Sequence, residues 1–152
     1  MKAITVHQPH ATLIALGEKG NETRSWTTKY RGPLAIHAGK KVYKDLCEQE
    51  PFKSVLAKHG YTADNLPTGC VVAIANLADC LPIHLDHTGD AVLLDHKGSP
   101  VHWIGNGSNE FHFGFYDNGR FAWQLKDINQ IPKECQVPVK GQQRLWNWRD
   151  VT

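Results

Sequence analysis

Gly17-Glu18-Lys19-Gly20-Asn21-Glu22-Thr23-Arg24-Ser25-Trp26 is the stretch on which the reading of this chain turns. Gly17 closes a short apolar run at helical spacing and supplies a left-handed stop. From Asn21 the pattern turns extended, and a strand's period of two places Glu22, Arg24 and Trp26 on one side. Lys19, just ahead of the strand, can converge on the same point. The guanidinium is a planar fork suited to phosphate or a base carbonyl, and the carboxylate accepts from an exocyclic amine. Trp26 offers a flat face for stacking. The same spacing also describes a Glu–Arg ion pair that merely fixes the register of the strand.

Upstream, Lys2 to His7 carries Ile4 and Val6 on one face and reads as a first strand. Pro9 suits a helix start, and Leu13, Ile14 and Leu16 give a helix of about two turns. Downstream, Arg31-Gly32-Pro33 is a turn and Leu34 to His37 a strand. Ala38-Gly39 leads into a helical stripe of Val42, Leu46, Phe52, Val55 and Leu56, which Pro51 divides into two pieces.

Gly69 to Leu77 is the most apolar run and predicts a strand buried on both faces. His84 to Asn109 is polar, rich in Gly and His, and reads as an irregular excursion apart from Ala91–Leu94 and Val101–Ile104. Phe111 to Tyr116 and Phe121 to Ile128 flank Asp117-Asn118-Gly119, a hairpin signal. Short strands, few helices and tight glycine turns predict an α+β fold built on a small mixed β-barrel.

The 152 residues, 41% hydrophobic and 21% charged, suffice for one domain with a real core, so residues 1–152 are read as a single domain. The formal charge of +2 excludes the strongly basic balance of a protein that wraps duplex DNA. A nucleic-acid partner must meet a local patch, and Lys19, Arg24, Lys29, Arg31, Lys40 and Lys41 concentrate six cations in the first third. No apolar run approaches the ~20 residues of a membrane span and no signal peptide is read, so no membrane partner and a cytoplasmic location are expected. Cys47, Cys70, Cys80 and Cys135 form no CxxC and are read as reduced thiols, several of them buried.

The segment Gly17 to Arg24 fits the pattern G-x-K-x-x-E-x-R of the ASCH family, within the PUA-like superfamily. His7-Gln8-Pro9 and the helix before it match the resemblance. So do Trp26 and Tyr30 to Ala38 after it, and the late stretches Gly119 to Leu125 and Val139 to Trp148. The resemblance implies a PUA-like barrel of five or six strands flanked by helices, with a cleft beside the signature. Relatives are reported or proposed to bind RNA or to act as ribonucleases, and a small branch hydrolyses N4-acetylcytidine. In that branch a Thr three residues after the Lys is thought to act as the nucleophile. Here that position holds Glu22, and the branch's remaining acid matches no residue of this sequence.

The leading expectation is therefore a domain that binds RNA, a nucleotide or a nucleoside. Lys19, Glu22 and Arg24 provide the polar contacts, and Trp26 or Trp123 the stacking surface. Gln8 and His37 are candidates for the cleft rim, as is His10. The alternative is a hydrolase in the same cleft, a ribonuclease or a modified-nucleoside amidohydrolase. There Lys19, Glu22 and Arg24 would be catalytic, with a buried Lys as base and Glu22 moving a proton. A regulatory protein-interaction module is a further alternative, and it requires exposed apolar surface. No cofactor is expected, and no metal: His84 and His87 are three apart, but Pro82 and Gly89 bracket them and no paired cysteines complete a zinc set. Trp146 and Trp148 are read as sealing the barrel near the terminus.

Overall fold

Ile4 and Val6 are buried on the first strand, as their alternation predicts, and the ladder they belong to organises half of the protein. The computed structural model describes residues 1–148. In chain order the elements are β1 (Lys2–Gln8), α1 (His10–Ala15), β2 (Asn21–Arg24), β3 (Gly32–Val42), α2 (Lys44–Cys47), α3 (Phe52–Lys58), β4 (Cys70–Leu85), β5 (Ala91–Leu94), β6 (Pro100–Ile104), α4 (Asn109–His112), β7 (Phe121–Gln130) and β8 (Leu145–Asn147). The fold is α+β, and no helix among the described residues is long and apolar enough to cross a membrane. The chain divides into two compact units, each assembled from separate stretches.

The first unit comprises Met1–Glu18, Pro33–Asn76 and the chain from Asp127 onward. Its strand order is β4-β3-β1-β8. β1 runs parallel to β3, with Lys2 opposite Leu34 and Ile4 opposite Ile36, and antiparallel to β8. Residues Leu34 to Gly39 are all buried, the signature of a strand covered on both faces. β3 continues through Ala38-Gly39 to Val42 rather than turning helical there, because the ladder with β1 carries on to a Gln8–Val42 pair. α2 and α3 flank Pro51 as expected, burying Cys47, Phe52, Val55 and Leu56. Ala3, Ala35, Val71 and Trp146 form a small core against which Trp148 packs, so the two late tryptophans cover this core rather than seal a barrel.

The second unit comprises Lys19–Gly32 and Leu77–Lys126. Its order is β2-β7-β4, with β5 paired to β4 and β6 to β5. Within the stretch read as an irregular excursion, the two apolar pieces excepted from that reading form β5 and β6, and Ile83, Leu93 and His102 align across three strands. Leu81, Ile83, Ala91, Leu93, Tyr116 and Ala122 form its core. The segment Phe111 to Tyr116 is not a strand. Ser108 accepts the Phe111 N–H at 3.2 Å and starts the short helix α4 instead, and β7 takes β2 as its antiparallel partner.

Eight strands form among the described residues, and they do not close into the barrel of five or six strands expected from the sequence. Closure needs the two end strands to share a ladder. β2 and β8 are only four and three residues long, and each is paired on one side alone. Cys47, Cys70 and Cys80 are buried free thiols, as read, and burial raises the pKa of each. The side chain of Cys135 lies outside the described residues.

Gln8 closes the turn from β1 into α1. Its carboxamide nitrogen donates to the Thr12 hydroxyl and to the Pro67 carbonyl, both at 2.7 Å, while its oxygen accepts the Thr12 N–H at 2.9 Å. Gln8→Ala strands these groups in a buried site and is expected to destabilise the fold by about 1–3 kcal/mol. Urea denaturation checks this: the midpoint should fall with an unchanged slope, and an unmoved midpoint would show the three bonds to be dispensable.

Candidate functional site

The signature strand is positioned by its partner. β2 pairs antiparallel with β7, setting Glu22 opposite Trp123 and Arg24 opposite Phe121, so the four side chains share one face of the pair. The strand ends at Arg24, which leaves Trp26 just beyond it. Trp26 is partly buried: its carbonyl accepts the Trp123 indole N–H at 3.2 Å, and the two rings meet edge-on at 4.7 Å. Trp123 itself is 0% exposed and forms part of the core, the more ordinary of the two homes its alternation allowed.

Lys19, Glu22 and Arg24 do converge. Glu22 is the hinge of the group, its Oε2 accepting from Arg24 Nε at 3.0 Å and Nη2 at 2.8 Å. Its Oε1 stands 3.6 Å from Lys19 Nζ, an ion pair beyond hydrogen-bond reach. Lys19 is wholly buried, and its Nζ has no hydrogen-bond partner among the described residues. An ammonium carries three donors and rarely leaves all of them idle in an interior. Burial therefore lowers the Lys19 pKa, with the charges of Glu22 and Glu110 opposing the shift only in part. Arg24, its side chain 24% exposed, is the member of the trio that solvent reaches best.

A second carboxylate completes the surroundings. Glu110, on α4, accepts the Gly20 and Asn21 N–H groups at 2.9 Å, one on each oxygen, and the Tyr116 hydroxyl at 3.0 Å. Asn21 in turn donates its side-chain amide to the Tyr116 oxygen at 3.2 Å. Burial and the neighbouring Glu110 charge hold the Tyr116 phenol well above the ordinary range, so it remains a donor. Glu110 thus clamps the main chain between the signature Lys and Glu and adds negative potential at Lys19. Nothing in the sequence marks it: Glu110 lies 88 residues beyond Glu22 in a stretch without clear periodicity.

A family model, that of the ASCH domain, matches residues 4–120. The chain belongs to the ASCH family. Over 81 residues, 51% of the chain, it is 36% identical to Activating signal cointegrator 1 of Homo sapiens, and equally so to that of Mus musculus. The matched part is 14% of the length of either relative. Among solved structures, the crystal structure of ASCH from Zymomonas mobilis aligns with a TM-score of 0.51 over 97% of this chain and 87% of that one. At 15% identity this likeness concerns the fold.

In this ASCH chain the signature trio lies in the second unit with Trp26, Trp123 and Glu110, whereas Gln8, His10 and His37 belong to the first. Gln8 is fully buried and satisfied by Thr12 and Pro67. His10 meets the rings of Tyr43 and Phe52 edge-on. His37 is buried between Thr5 and the Val139 carbonyl. No group of three or more His, Cys, Asp or Glu able to hold a metal occurs among the described residues. Val101 and Trp103, two apart on β6, are 41% and 65% exposed.

The lowered pKa of Lys19 has a thermodynamic consequence. Between its folded value and its ordinary 10.5 the unfolded chain binds more protons than the folded one, so stability rises with pH across that window. Below the window the cost of the buried charge is fully present. Lys19→Met is therefore expected to melt at or above the parent's temperature at neutral pH, the gap closing as pH approaches 10.5. Thermal melts across pH test this; a variant several degrees less stable at neutral pH would mean that the cation stabilises the fold.

Proposed function

We propose that residues 1–152 act as one ASCH domain that binds RNA or a nucleotide at the Lys19–Glu22–Arg24 cluster, with Arg24 and Trp26 meeting the ligand. The observation that carries this reading is the buried, unbonded amine of Lys19 beside a carboxylate whose other oxygen is gripped twice by Arg24. A fold gains little from such an arrangement, because desolvating the ammonium costs several kcal/mol and a 3.6 Å contact returns only part of it. Groups held at that cost are characteristic of functional sites. Glu22 fixes the plane of the guanidinium, which suits Arg24 to paired contacts with phosphate or a base carbonyl. Because Trp123 is fully buried, stacking falls to Trp26.

The test is binding of labelled single-stranded RNA and of nucleotides by parent, Arg24→Ala and Trp26→Ala proteins of verified fold. Removing a charged hydrogen-bonding group is expected to weaken binding roughly tenfold or more. Parent-like affinity in both variants would remove the site from this cluster.

A second reading, hydrolysis of an acylated nucleoside, is favoured by one observation: burial pushes Lys19 toward the neutral amine a general base needs. With Glu22 in place of a nucleophilic Thr, water would add to the acyl carbonyl while Lys19 accepts its proton. The C–N bond would then break, and the proton would pass to the departing amine. Incubation with N4-acetylcytidine, and separately with labelled RNA, decides between the two. Turnover that Lys19→Met abolishes, with a rate that falls toward acid pH, supports hydrolysis; no product from a folded parent leaves binding alone.

A further inference from the structure

The first unit contains a cavity of about 750 Å³ whose lining shares no residue with the Lys19 cluster. Such a volume is that of an ordinary small-ligand site. Its floor is a partly buried chain of hydrogen bonds. The Trp146 indole donates to Thr5 Oγ1 at 3.2 Å, the Thr5 hydroxyl and His37 Nδ1 are 3.2 Å apart, and His37 Nε2 lies 2.7 Å from the Val139 carbonyl. A carbonyl only accepts, so Nε2 carries the proton and Nδ1 accepts from Thr5. His37 is then a neutral ring with both nitrogens occupied, and burial holds it so by lowering its pKa. It serves as a rigid, flat floor rather than as an acid or base.

The walls are built by close main-chain approach. A Cβ at Gly141 would fall 2.6 Å from both His37 Cε1 and Thr5 Oγ1, so the chain at Gly141 rests directly on the floor. Val139 is tied to the start of β4 by its N–H to the Gly69 carbonyl at 2.8 Å. What this frame presents is of one sign. Lys40 and Lys140 both line the cavity, and its described lining includes no Asp or Glu. Gln142 and Gln143 add carboxamides able to pair with a base edge, and Pro138 and Val139 add apolar surface for a ring.

We propose that this cavity binds a phosphate ester of mononucleotide size, free or at the end of an RNA chain, with Lys40 and Lys140 holding the phosphate and Gln142 and Gln143 meeting the base. Two ammonium groups without a neighbouring carboxylate select an anion, and flexible point charges of this kind commonly serve phosphate. The proposal does not rest on the reading of the Lys19 cluster.

The experiment is a titration with cytidine 5′-monophosphate, cytidine, and a short RNA with and without a 5′-phosphate, followed by NMR signals of Thr5, His37 and Gly141. Cytidine 5′-monophosphate should shift these signals, cytidine much less, and inorganic phosphate should compete. Lys40→Ala combined with Lys140→Ala should weaken binding roughly tenfold or more, since both side chains sit on exposed residues and can be removed without touching the core. Arg24→Ala should leave these shifts as in the parent, which separates this site from the other. Added salt should weaken binding to the parent protein itself. The same shifts with 5′-phosphorylated RNA would identify a chain end as the ligand source; shifts with the mononucleotide alone would identify a free nucleotide. Cytidine binding as tightly as its phosphate, or nucleotides leaving the three signals unmoved, would overturn the proposal.

Discussion

Keeping a lysine amine out of water is the most demanding arrangement in the described part of this protein, and the second unit is organised around it. Lys19 has no exposed surface, a carboxylate at 3.6 Å and no hydrogen bond. An isolated buried ammonium is unfavourable by several kcal/mol, and the usual escape is a lowered pKa or a neighbouring counter-charge. Both occur here. Glu22 and Glu110 supply negative potential from two different elements, while desolvation still wins and shifts Lys19 toward neutrality.

This constraint explains why the signature segment is held so firmly. Glu110 accepts two consecutive main-chain N–H groups from Gly20 and Asn21, fixing the backbone between Lys19 and Glu22. Arg24 fixes the far oxygen of Glu22. Antiparallel pairing with β7 then sets Glu22 and Arg24 in register opposite Trp123 and Phe121.

The cavity in the first unit has the opposite electrostatic character. Around Lys19 the charges are mixed and already engaged with one another, which suits recognition of a base edge or a buried proton transfer. Around His37 the polar floor is neutral and closed, and the charges at the rim are positive only. As proposed, the first would read pattern and the second would attract an anion. That division follows from where the carboxylates fall: Glu22 and Glu110 stand at the first, and the described lining of the second includes none.

Local rules were enough to make several elements legible. Alternation in Lys2 to His7, the left-handed stop at Gly17 with φ of 76°, the break at Pro51 and the buried run from Cys70 depend on neighbours in sequence, and the structure follows them. The strand period put Glu22 and Arg24 on one side, and the signature placed Lys19 beside them. Local rules fail where pairing partners decide. The stretch from Phe111 to Tyr116 alternates like a strand, yet β7 found β2, and Ser108 was left to cap a helix. In the polar middle the two apolar pieces stood out but their partners did not: β5 is short and buried, β6 short and exposed, and only the ladder shows how they pair. By itself the sequence determined the family, the α+β class and the three charged residues of the cluster, since each is written in adjacent residues. Only tertiary structure decided that the sheet stays open, that Glu110 serves Lys19, and that Gln8 bonds Thr12 and Pro67 while His37 lies between Thr5 and Val139, because burial and long-range hydrogen bonds are not properties of any local stretch.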